Sequence, residues 1–161
     1  MVENYQILHQ TGLKNFKTVS GQADVVLENN KFKSRYTPIA YLNPLVMKMA
    51  SGAATIVVSR SGASALFEIA SWGVPSIMIP ITNSNGDHQR KNAFNYARAG
   101  GCSVIEEVNM TANILCSEID RIINDKTGYK IMERNAKEFS KKDAAEKIAR
   151  ELADIALSHE K

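Results

Sequence analysis

Two cysteines, Cys102 and Cys116, are all the thiol this chain of 161 residues holds, and they form no CxxC pair. A reduced intracellular protein is the simple reading. The three histidines, His9, His88 and His159, are too scattered along the chain for a metal-ligand cluster. No run of about 18 apolar residues exists, and the N-terminus lacks a signal-peptide pattern. A cytoplasmic location is expected, with peripheral membrane contact left open. An excess of one charge is also missing: 20 basic and 17 acidic residues leave a net +3. Even the lysine-rich stretch 123–161 carries nine basic and eight acidic residues. It reads as solvated helix faces rather than a patch for nucleic acid or membrane, and no RNA-binding aromatic-and-basic signature is visible. Linkers, low-complexity tracts and repeats are absent too, so residues 1–161 are read as one domain with a real core.

What the sequence does have is alternation. With 44% hydrophobic and 23% charged residues it has an ordinary globular composition. Strands are predicted over 5–10, 34–42, 55–59, 75–80 and 102–108. Helices are predicted over 43–51, 63–72, 87–100 and 110–125, with one or two more across 128–158 and an ambiguous helical stretch over 13–29. Asn43 and Pro44 make a plausible helix start, and Thr111 a plausible cap. Gly73 and the pair Gly100–Gly101 punctuate helix ends. Strand–helix alternation with short connections predicts an α/β fold, a doubly wound, mainly parallel sheet with helices on both faces. The runs TIVVS and SIMIP, apolar on both sides, suit such a sheet. Ligands of these folds collect at the carboxyl ends of the strands.

Three strand ends carry polar residues: HQTG (9–12), SRSGAS (59–64) and ITNSNGDHQRKN (81–92). In SRSGAS, Ser61 can cap the helix and Gly62 can let a ligand approach the backbone. The first N–H groups of a helix lack partners within it and attract anions, so a diphosphate would suit this position. Leu66, Ile69 and Ala70 are expected to face the sheet. Ser64 and Glu68, four residues apart, share another face. A carboxylate there can accept hydrogen bonds from both hydroxyls of a ribose. The alternative for each part is plain: a Ser–Gly cap and a solvated glutamate. Asp87, His88 and Gln89 could bond sugar hydroxyls, or be a cap followed by exposed polar residues. His88 could act as a general base, although nothing nearby in sequence orients it. HQTG taken alone is a turn.

Together these pieces resemble the MurG family, transferases that move N-acetylglucosamine (GlcNAc) from UDP-GlcNAc to a lipid-linked muramyl-peptide. The resemblance rests on HQTG (9–12), VVSRSGASALFEIASWGVPSIMIP (57–80), DHQRKNA (87–93) and AGGCSVIEE (99–107), in order and with family-like spacing. It implies the Rossmann-like, donor-binding C-terminal half of a GT-B glycosyltransferase. By that resemblance Glu68 would hold the ribose. Gln89, with Asp87 and His88, would contact the GlcNAc, and Ser61, Gly62 and Ala63 would lie near the diphosphate. Tyr41 and Leu42 match the segment that cradles uracil, although the following helix is about two residues longer than usual. Arg60 matches a family arginine whose role here stays open between a salt bridge and ligand contact. The implied reaction is inverting glycosyl transfer without a metal or other cofactor, the leaving diphosphate being stabilised by helix N-termini and backbone amides.

The family pattern is incomplete in this sequence. Its N-terminal acceptor-binding domain and the first strand–loop–helix of the donor domain have no counterpart. The first strand is central in the usual order, so a gap is expected between the strand at 5–10 and that at 55–59. Either those strands close up, or a partner segment fills the slot; a non-native oligomer, a separately encoded partner or a rearranged sheet is expected. The expected partners are a UDP-sugar and an acceptor-binding domain or subunit, which would supply any membrane contact; nucleic acid is not expected. A non-enzymatic nucleotide-sugar binding module and part of a UDP-GlcNAc epimerase-like enzyme are the alternatives.

Overall fold

The computed structural model describes residues 1–83, 85–140 and 143–158. Ser84, inside the polar loop expected over 81–86, and His159 lie outside the described residues. The chain divides into two compact units, residues 1–54 and 55–161.

In the first unit, β1 (Ile7–Gln10), α1 (Phe16–Val26), β2 (Tyr36–Ile39) and α2 (Pro44–Ala53) follow one another. β1 and β2 pair in parallel, with Ile7 opposite Tyr36 and Gln10 opposite Ile39. The predicted strand 34–42 is trimmed at both ends, because residues 33–35 form a 3₁₀ turn. Pro38 is tolerated because β2 has a single neighbour, which leaves one edge where a missing N–H costs nothing. Asn43 caps α2 as its position predicts, its side chain accepting from the Val46 N–H at 2.9 Å.

The second unit runs β3 (Val57–Ser59), α3 (Ala63–Trp72), β4 (Ser76–Met78), α4 (His88–Arg98), β5 (Cys102–Val104), α5 (Ala112–Asn124), α6 (Lys126–Phe139) and α7 (Ala144–Ser158). Its sheet has the order β3-β4-β5, every pair parallel. Both units are parallel-sheet structures of the Rossmann-like kind, with helices on both faces. β4 lies at the centre, and each of its residues is buried. β3 departs from expectation: Val58 is 39% exposed. The apolar run TIVVS is thus incompletely covered, and among the described residues β3 is an edge strand paired with β4 alone. Among the described residues β1, in turn, pairs with β2 alone. The strands flanking the expected gap therefore belong to different sheets and do not close up on each other by pairing.

The core gathers Leu66, Ile69 and Ala70 of α3 with Met78, Ala93, Tyr96, Cys102 and Ala136. The three α3 residues are the ones whose spacing predicts a sheet-facing stripe, and burying Leu66 alone contributes about 2 kcal/mol. Gly73 ends α3 at φ 67°, a left-handed cap that glycine adopts without penalty. Gly101 has a different reason: a Cβ there would come within 2.0 Å of the Tyr96 ring. Thr111 caps α5 through the Ile114 N–H at 3.2 Å. Asp125 caps α6 through the Gly128 N–H at 2.9 Å, starting that helix two residues before the sequence pattern suggests. α7 shows Ile148, Leu152 and Ile155 on an exposed stripe. No helix among the described residues is long and apolar enough to cross a membrane.

Candidate functional site

All three strands of the second sheet run the same way, so their carboxyl ends deliver three loops to one edge of the sheet. The β3–α3 connection is Arg60–Ser61–Gly62. Its geometry corrects one expectation: the N-cap of α3 is Gly62, not Ser61, and no side chain caps the helix. Ser61 is instead completely buried. Its hydroxyl donates to the Gln89 carbonyl at 2.8 Å, so it is spent on the protein and cannot serve as the cap. The Asn92 side-chain N–H donates back to the Ser61 carbonyl at 3.1 Å. These two bonds stitch the start of α3 to the first two turns of α4. Asn92 was missed as a positioning residue because nothing in a helical pattern marks which asparagine reaches a distant backbone.

The mouth of α3 is open. A Cβ built on Gly62 would meet nothing within 4 Å. Ala63 and Ser64 are exposed beyond it. Glu68 is exposed as well, about 6 Å along the axis from Ser64 at roughly 1.5 Å per residue. Among the described residues, its carboxylate has no hydrogen-bond or ion-pair partner; only its backbone carbonyl is engaged, by the Ser71 hydroxyl at 2.7 Å. An uncapped helix start with free N–H groups and an unpaired acid a turn further on can take an anion and a diol respectively.

α4 begins under constraint. Gly86 and Asp87 both adopt left-handed backbone, at φ 61° and φ 58°. For Asp87 this is an uncommon conformation, of the kind that clusters at functional sites. Asp87 therefore provides no side-chain cap; its carboxylate lies 3.8 Å from Arg90. His88 is exposed, and no residue among those described orients its ring by a hydrogen bond. Gln89 is half-buried and accepts from the Ile81 N–H at 3.2 Å. Tyr41 and Leu42 belong to the first unit, just beyond β2. There Tyr41 is 67% exposed, and the buried Leu42 donates its N–H to the Gln10 side chain at 2.9 Å. In the same unit HQTG is not the turn expected of it: His9 and Gln10 end β1, and Gly12 follows at φ 78°.

Arg60 has a defined place. Its guanidinium donates to the Ile79 carbonyl at 3.2 Å and to Glu107 at 2.6 Å. The other oxygen of Glu107 accepts from the N–H and the hydroxyl of Thr82, at 2.9 and 3.0 Å. The Thr82 N–H, then Arg60 and the Thr82 hydroxyl, hold the Glu107 carboxyl below the usual carboxylate range. Next to it, Arg90 donates to Glu106 at 2.7 Å. Its guanidinium is pushed above its ordinary value chiefly by that hydrogen bond. Ile81, Thr82, Asp87, Arg90, Glu106 and Val108 help line a cleft of about 300 Å³ at these loops. Among the described residues no group of three or more His, Cys, Asp or Glu side chains is placed to share a metal ion.

The family model of the glycosyltransferase family 28 C-terminal domain matches residues 2–148 of this chain. The chain belongs to that family. Among the curated relatives of this glycosyltransferase family 28 domain, one from Oenococcus oeni is 31% identical over 154 residues, spanning 95% of this chain and 40% of its own length. One from Natranaerobius thermophilus is 34% identical over 152 residues, spanning 93% of this chain and 40% of its own. Both are named UDP-N-acetylglucosamine–N-acetylmuramyl-(pentapeptide) pyrophosphoryl-undecaprenol N-acetylglucosamine transferase. The crystal structure of MurG from Acinetobacter baumannii has the same fold, with a TM-score of 0.74 at 18% identity over 92% of this chain and 41% of that one. The chain thus spans about two fifths of the relatives it matches.

Proposed function

We propose that this chain is the donor-binding half of an inverting glycosyltransferase. It would move GlcNAc from UDP-GlcNAc to a lipid-linked acceptor in peptidoglycan precursor synthesis, and it would need an acceptor-binding half for turnover. The observation that carries this is the α3 mouth: an uncapped helix start, open space over Gly62, and the unpartnered Glu68 carboxylate. The amides of Gly62, Ala63 and Ser64 would hold the diphosphate, and Glu68 would accept from the ribose hydroxyls. Gln89, with Asp87 and His88, would contact the sugar. Ser61 supports this arrangement from below, through Gln89, rather than by touching the ligand. In the reaction the acceptor hydroxyl oxygen attacks the anomeric carbon. The bond from that carbon to the diphosphate breaks, and UDP leaves with the bonding electrons. The hydroxyl proton passes to a base that we assign to the acceptor half. Stabilisation of the leaving diphosphate by helix dipole and amides requires no metal. The setting would be cytoplasmic, at the inner face of the membrane through the acceptor half.

The α3 mouth would serve equally a second reading, a nucleotide-sugar binding module without turnover of its own. Calorimetry with UDP-GlcNAc tests the shared part of both: binding is expected, and a chain that takes up no uridine nucleotide overturns both. Adding an N-terminal half from a relative separates them, since UDP release from UDP-GlcNAc and lipid acceptor is expected only for the transferase.

A further inference from the structure

We propose that Glu107 is a positioning residue for recognition of the sugar, acting on Gln89 through the backbone at Ile81 and Thr82. The inference rests on the reading that Gln89 contacts the sugar of a nucleotide-sugar. The chain of contacts is short and continuous. Glu107 grips Thr82 twice, through N–H and hydroxyl at 2.9 and 3.0 Å. The preceding residue, Ile81, presents its N–H to the Gln89 side-chain oxygen at 3.2 Å. At its other end Glu107 is anchored by Arg60 at 2.6 Å, and Arg60 is itself tied to the Ile79 carbonyl at 3.2 Å. Arg60 thus spans from the β3–α3 loop to the loop after β5, with the loop after β4 held between them.

The geometry separates the two ends of the ligand. The carboxamide of Gln89 has two rotatable bonds beyond its Cβ and a reversible head, so the bond its oxygen accepts from Ile81 is one of the contacts that set its orientation. Fixing that oxygen on the Ile81 N–H leaves the same rotamer on offer each time a sugar arrives. Without the Glu107 anchor, the Ile81–Thr82 backbone is free to turn, and each binding event must order it again. The α3 mouth and Glu68 have support besides this chain of contacts: α3 is held by its core face and by the backbone carbonyls that Ser61 and Asn92 engage. Loss of Glu107 should therefore weaken the hold on the sugar and spare the hold on the nucleotide. Both side chains of the ion pair are partly exposed, at 49% and 34%, so its loss is expected to leave the chain folded.

The test is a comparison of dissociation constants for UDP and UDP-GlcNAc, by calorimetry on the full chain. Glu107→Ala is expected to weaken UDP-GlcNAc about three- to tenfold, the range of one lost orienting hydrogen bond, with UDP changed less than about twofold on the same scale. Glu107→Gln keeps an oxygen for the Thr82 N–H and should restore most of the selectivity. Thr82→Val, which removes only the hydroxyl bond, should fall between wild type and Glu107→Ala. Parallel weakening of both ligands, or no change in either, overturns the proposal. So does a wild type that binds UDP and UDP-GlcNAc equally, which leaves the nucleotide site standing. A wild type that binds neither overturns the underlying reading and this proposal with it.

Discussion

The carboxylate of Glu68 stands on the exposed side of α3 and, among the described residues, has no protein group to satisfy. Removing it costs the folded chain almost nothing, so Glu68→Ala should leave the melting temperature without ligand within about two degrees, as surface changes of under about 0.5 kcal/mol do. The same variant should lose the rise that UDP-GlcNAc gives to wild type, expected to correspond to about 2.7 kcal/mol at 100 times the dissociation constant. Differential scanning fluorimetry reads both. Gly101 is the opposite kind of residue, important to packing and indifferent to ligand. Gly101→Ala drives a methyl into the buried Tyr96 ring, and a loss of about 1–3 kcal/mol in urea unfolding is expected. The two thiols also separate. Burial pushes the Cys102 thiol up to about 12, so it stays protonated and shielded at pH 8. Cys116 is only partly covered. A thiol reagent should label one cysteine in the native chain and two in urea.

At the scale of elements, the loop after β4 and the one after β5 share one acid. Glu107 has a lowered folded-state pKa. Its contribution to stability is complete above the unfolded-state value of about 4.3 and is lost as pH falls through the lowered folded value, where the unfolded chain binds the extra proton first. Melting temperature measured from pH 6 down to pH 3 should fall less steeply for Glu107→Gln than for wild type. Glu118, lowered chiefly by its bond to Arg121, adds to the same acid slope. Helix α3 was legible before any coordinates, because Leu66, Ile69 and Ala70 repeat at helical spacing and Gly73 stops the pattern. The caps at Asn43 and Thr111 were legible for the same local reason. Ser61 was misread, since a serine two residues before a helix looks like a cap whether its hydroxyl turns to its own helix or to Gln89. Glu107 and Asn92 were invisible: their partners lie 25 and 31 residues away in the chain. No period or turn signal records such a pairing. The strand TIVVS shows the limit of composition. Apolar residues on both faces predict cover on both faces, yet Val58 of β3 is left 39% exposed.

Taken whole, the molecule ties its second unit together with a late piece of chain. The Tyr129 hydroxyl of α6 donates to the Thr55 carbonyl at 2.7 Å, just before β3 begins, and Ala136 of the same helix is fully buried in the α3 core. On a ribosome adding about 5–20 residues per second, the sticky side of α3 emerges several seconds before the helix that covers it. During that wait the nascent segment is a natural client for a holding chaperone, and a message cut short between the two would yield a greasy, protease-sensitive stub.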